Sequence, residues 1–138
     1  MICEELSKAM ELAQAGLNGL CDTFTEDAST VNILGTEYAI LVQSVEENPK
    51  LKNAIGLCDQ YSKKIILNDL AEAEEDDMAV EELDELRKKV LRHEIIHAFF
   101  GESGLRSCSE YAENEELIDW IAIQFPKILK AFERVGAL

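Results

Sequence analysis

The chain has 138 residues, 47% of them hydrophobic, enough to bury one core of ordinary size, so a single principal domain is expected. Its 28 acidic residues against 13 Lys and Arg leave a formal charge of -15, which repels phosphate and excludes nucleic acid and anionic membrane as expected partners. No apolar run approaches the roughly 18 residues of a membrane span, and Met1-Ile2-Cys3-Glu4-Glu5 lacks the basic start of a signal peptide, so a cytoplasmic protein is expected.

Residues 3–21 read as an amphipathic helix, with Ile2, Leu6, Met10, Leu12, Ala13, Leu17 and Leu20 as its apolar positions. The polar stretch 22–30 sets it apart, which divides the chain into an N-terminal helical extension, 1–29, and a main domain, 30–138. From Thr30 the period changes to two. Val31 and Ile33, then Gly35-Thr36, then Tyr38, Ile40 and Val42 predict two short strands around a turn. After Asn48-Pro49, residues 51–55 predict one helical turn, and residues 55–67 a second hairpin with its turn near Gln60 to Lys63. Such a strand is either an ordinary sheet member or an edge along which an extended peptide can pair. Residues 72–85 hold nine acids and no base, a solvated connection that lacks the ligand spacing of a calcium loop. The four cysteines, Cys3, Cys21, Cys58 and Cys108, form no C-x-x-C pair and read as free thiols.

The chemistry concentrates in His93-Glu94-Ile95-Ile96-His97, which contains both histidines of the chain. Residues four apart on a helix lie on one face, so both imidazoles can reach one zinc ion, with Glu94 about 100° round beside its water. Leu83, Leu86, Val90, His93, His97 and Phe100 recur at spacings of three and four, which predicts that the histidines continue the core-facing stripe. Arg87, Lys88, Lys89 and Arg92 are then a solvated opposite face, and Gly101 and Gly104 mark the helix end.

A second helix, opened by the capping-box pattern Ser107-x-x-Glu110, is expected to supply the third ligand that a catalytic zinc requires. Glu115 shares a stripe with Ile118, Ala122, Phe125 and Leu129 and is preferred; Glu116, on the more mixed stripe of Trp120, Ile123 and Lys127, is the alternative, with Glu113 behind. Asp119 is placed to accept the second N–H of a ligating imidazole. Pro126 predicts a kink or restart, and Phe125, Ile128, Leu129 and Phe132 are then expected to close the core.

His93-Glu94-x-x-His97 followed by Asn114-Glu115-x-x-x-Asp119 resembles the gluzincin metallopeptidases, whose second motif reads N-E-x-x-x-D. The stretch 91–126, and more loosely everything from Val31, is similar to small zincin-like proteins encoded by phages and prophages of Gram-positive bacteria, and more distantly to the ImmA/IrrE-type peptidases that cleave phage or stress repressors. The resemblance implies an α+β, minimal zincin-like fold: a short twisted, mostly antiparallel sheet on an active-site helix and a C-terminal helix, with an extra N-terminal helix. It implies that His93, His97 and Glu115 hold Zn2+, that Glu94 is the general base and that Asp119 orients a histidine. Peptidases of this kind carry a further His, Tyr or Arg at the oxyanion; with both histidines used, Tyr111 is the first candidate, with Tyr61 and Arg106 as alternatives. The lack of a separate substrate domain favours one dedicated protein substrate, such as a phage or host regulator. The alternative is a catalytically inactive binding or regulatory protein on the same fold, in one variant with a closed structural zinc and Cys108 in the fourth position.

Overall fold

A computed structural model of the chain describes residues 29–71 and 80–138. The predicted helix over 3–21, with Cys3 and Cys21, and residues 72–79 of the acidic connection lie outside the described residues.

Four strands form one sheet: β1 (Ser29–Ile33), β2 (Thr36–Gln43), β3 (Gly56–Asp59) and β4 (Lys64–Asn68), in the spatial order β1-β2-β4-β3. The first hairpin closes through Leu34 and Gly35, both at positive φ (50° and 93°), the two-residue turn whose twist matches that of its strands. In the second, the Asp59 carboxylate accepts from the backbone N–H groups of Tyr61 and Ser62, 3.0 Å each, which fixes the turn at the predicted place. Between the hairpins Pro49–Asn53 makes one 3-10 turn capped by the Asn48 side chain. The connection carries β4 back beside β2 in parallel, pairing Ile40 with Ile65 and Val42 with Leu67, and leaves β3 at an edge. The architecture is α+β and the sheet is mixed, with two antiparallel pairings and one parallel.

Helix α1 (Val80–Glu102) covers one face of the sheet. Alternation on the strands sends Ile33, Tyr38, Ile40, Ile65 and Leu67 into a core with Val90 and Ala98 of α1. Each large apolar side chain removed from water there contributes about 1.5–3 kcal/mol. Tyr38 is fully buried, and its hydroxyl donates to Glu102 Oε1 at 2.7 Å; Glu102 also accepts from Thr36 Oγ1 and pairs with Lys63. This carboxylate ties β2 and the second turn to the end of α1. The Lys63 ammonium, then the Tyr38 hydroxyl, hold the Glu102 carboxyl below its usual range.

Helix α2 (Glu115–Val135) packs on α1. It does not open at the predicted Ser107-x-x-Glu110 box. Residues 105–107 and 110–113 form two 3-10 turns, the second capped by Ser109, and the α-helix starts where Asn114 Oδ1 accepts from Leu117 N at 2.8 Å. Nor does Pro126 restart the helix, which runs through it, and Phe125 and Phe132 do not close the core: both stay about half exposed, and α2 buries Ile118 and Ala122 of its first half instead. The carbonyl that proline deprives of its i+4 donor is that of Ala122, and Arg92 Nε of α1 donates to it at 2.6 Å.

The basic face of α1 is therefore more than a solvated one. Arg92 reaches Ala122 O, Lys89 pairs with Asp119 at 2.9 Å and Arg87 donates to Asp69 O at 2.8 Å, because neighbouring segments pass over that side. Replacing Arg92 with Met keeps the packing stem and orphans the carbonyl. We expect Arg92→Met to cost about 1–3 kcal/mol in a urea titration. No helix among the described residues is long and apolar enough to cross a membrane.

Candidate metal centre

On α1 the buried residues are Leu83, Val90, Glu94 and Ala98, the last three spaced four apart, with Glu94 only 6% exposed. The histidines flank this row rather than continuing it, as the predicted stripe had them; their side chains stay 17% and 19% exposed, toward α2. An imidazole that must meet a ligand in a cleft belongs at the margin of the core, and the sheet takes the neighbouring positions.

Glu115, on the first turn of α2, completes a triangle. His93 Nε2 lies 3.1 Å from His97 Nε2 and 3.0 Å from Glu115 Oε2, and His97 Nε2 lies 3.3 Å from Glu115 Oε1. In a tetrahedral zinc site with bonds of about 2.0–2.1 Å, ligand atoms stand roughly 3.3 Å apart, so the donors already approximate one face of such a site. Two ring nitrogens and a carboxylate facing one point are a donor set for a divalent cation, and the residues present fit zinc. On the far side of the first imidazole, His93 Nδ1 meets Asp119 Oδ1 at 3.3 Å. A carboxylate there draws the ring proton to Nδ1 and leaves the Nε2 lone pair for a metal. Lys89, first, and His93 hold the Asp119 carboxyl below its usual range, so it is charged for this role. Burial pushes the His97 imidazole down, which favours the neutral, ligating form.

Glu94 forms the floor of a cavity of about 420 Å³ that also receives Gly56, Cys58, Lys89 and Arg106. Burial pushes its carboxyl up to about 7, against the opposing pull of His93 and with a smaller push from Glu115. A carboxylate that takes a proton near neutral pH is suited to general-base work.

Of the remaining expected site residues, Glu116 is exposed and absent from the triangle, while Glu113 pairs with Arg106 Nε at 3.1 Å. The Tyr111 side chain is 72% exposed and Tyr61 fully so; Tyr111 lines neither this cavity nor the groove beside it, whereas Arg106 lines both. The Cys108 thiol turns onto Gly104 O and Leu105 O, away from the triangle. Cys58 lines the cavity as a protonated thiol, its pKa raised to about 12 by burial and by Glu94.

Three positions to which sequence reasoning gave no part in the site hold this geometry. A Cβ on Gly56 would stand 2.7 Å from Val90 Cγ1 and 2.8 Å from Glu94 Oε1, so β3 passes the Glu94 carboxyl at a distance only glycine permits. Gln60 Nε2 donates to His97 O at 3.0 Å, and its amide occupies the space a Cβ on Gly101 would need. The available signals were a glycine inside a strand pattern and another inside a helix, each a mark of close backbone approach.

The chain matches no protein-family model, no curated protein and no solved structure in the three comparisons made.

Proposed function

We propose that the protein is a zinc-dependent peptidase that hydrolyses a specific protein substrate. The observation that carries this is the His93–His97–Glu115 triangle with the buried Glu94 beside it at one cavity. His93, His97 and Glu115 would hold the zinc ion, which would supply Lewis-acid polarisation of the substrate carbonyl and of water. Glu94 takes the proton from the attacking water on its carboxylate and returns it to the amide nitrogen as the C–N bond breaks, so the chain supplies both proton transfers from one group. Asp119 keeps the His93 ring in orientation. Gly56, Leu57 and Cys58 of the edge strand line the cavity, and the side of that strand that is unpaired among the described residues offers backbone groups to an extended peptide. The resemblance to phage-encoded zincin-like proteins makes a phage or host regulator the class of substrate to try first.

The test is incubation of the zinc-loaded protein with a proteome-derived peptide library, followed by sequencing of new termini. Cut sites that vanish with chelator and return with zinc are expected; their absence would overturn the reading. Gly56→Ala adds one methyl group against the base and is expected to lower turnover by about 10²-fold, the effect of a misplacement of ~1 Å, with zinc stoichiometry unchanged. Turnover equal to the parent's would mean that Glu94 tolerates displacement.

A further inference from the structure

We infer that the cleft selects an acidic side chain of the substrate next to the scissile bond, and that Arg106 is the residue that reads it. Arg106 sits on the 3-10 turn Leu105–Ser107, which Gly104 directs back toward the cleft through a left-handed φ of 80°. It is shared by the metal-side cavity and by a neighbouring groove of about 1150 Å³, and Leu57 and Cys58 of β3 are shared with it, so the two spaces form one path. Lining both spaces, the guanidinium-bearing side chain stands where the groove opens into the metal-side cavity.

Among the described residues its one ion pair runs through Nε to Glu113. The terminal nitrogens remain to grip a carboxylate end-on, the geometry in which guanidinium is most selective. The acids along the groove are already engaged: Glu102 by Lys63, Glu113 by Arg106 and Asp59 by the N–H groups of its own turn. Lys50 and Lys64, which also line the groove, make no ion pair among the described residues. In a protein of formal charge -15, the groove gathers Lys50, Lys63, Lys64 and Arg106 against three carboxylates that each already accept from a partner, which gives an anionic segment a cationic approach to the cleft.

The cleavage side of this inference rests on the peptidase reading; the binding side does not, and the experiment separates them. In the library digest, Asp or Glu should be enriched at one fixed position beside the cut. Arg106→Gln should flatten that preference, and Arg106→Glu should replace it with Lys or Arg. Cuts with no acidic preference, or a preference unchanged in Arg106→Gln, overturn the inference and leave the peptidase reading standing. A uniform loss of kcat across all peptides, at unaltered preference, also overturns it and moves Arg106 to the scissile carbonyl.

In parallel, zinc-loaded Glu94→Gln protein is titrated by fluorescence anisotropy with labelled Gly/Ser peptides carrying Glu or Gln at alternate positions. The Glu peptide should bind about tenfold more tightly, a difference lost in Arg106→Gln and eroded by salt, since one charge-assisted hydrogen bond is worth at least that ratio. This preference without any cleavage would overturn the peptidase reading and keep the inference. Equal affinities overturn the inference.

Discussion

Glu94→Gln is expected to lower peptide hydrolysis by about 10²–10⁴-fold, the usual contribution of a general base, while about one zinc per chain is retained. Glutamine keeps the shape of the side chain that fits against Gly56 and Val90, and it makes no demand on the triangle, in which Glu94 takes no part. What it loses is the ability to take a proton. The substitution also has a thermodynamic signature in the chelated protein. Burial raises the Glu94 carboxyl to about 7, so the folded apoprotein binds a proton more readily than the unfolded chain. Its stability should then fall as pH rises from the usual carboxylate range through about 7, and Gln should flatten that slope. Activity assays and urea titrations across this range test both. Retained hydrolysis would remove Glu94 from the chemistry.

Zinc is expected to raise the melting temperature of the chelated protein by on the order of 10 °C, and His97→Ala should abolish the increase. At a free-metal concentration about 1,000 times Kd, selective binding to the folded state adds about 4 kcal/mol, and each kcal/mol moves the midpoint of a domain this size by a few degrees. The coupling is direct because the ligands come from two elements: His93 and His97 from α1, Glu115 from α2. A metal bound at all three pins the helices together where Ile118 and Ala122 of α2 are already buried. Glu115→Ala should lose most of the increase, and Glu116→Ala none of it. Differential scanning calorimetry with and without chelator decides. A melting temperature indifferent to zinc would mean that the triangle is an ordinary cluster of hydrogen-bonded side chains.

Much of the local structure was legible in the residues. The two hairpins and the single turn between them follow from period-two alternation broken at Gly35, Asn48-Pro49 and the turn after Asp59, because strand pairing across a short turn is a local event. The spacing of His93 and His97 was equally local, since a helix of 3.6 residues per turn brings positions four apart together whatever surrounds it. Helix α1 itself was foreseen from the same periodicity.

Helix ends were read less well. Ser107-x-x-Glu110 has the composition of a capping box, yet two 3-10 turns intervene, and Asn114 is the residue whose side chain reaches the free N–H of the first turn of α2. A capping pattern names a residue type, and the path of the preceding loop decides which candidate arrives.

The sequence by itself determined that the chain carries an α1 helix with two imidazoles on one face and a carboxylate, two hairpins and a second amphipathic helix, because each depends on neighbours within a few residues. Only the tertiary structure decided that Glu115 and not Glu116 meets the histidines, that Val90, Glu94 and Ala98 take the inward row, that Gly56 lies against Glu94, that Arg92 satisfies the carbonyl freed by Pro126, and that Arg106 lines the cleft. Each of these joins residues far apart in the chain. The direction and reach of their side chains are set by how helices and sheet pack, which no single stretch of residues encodes.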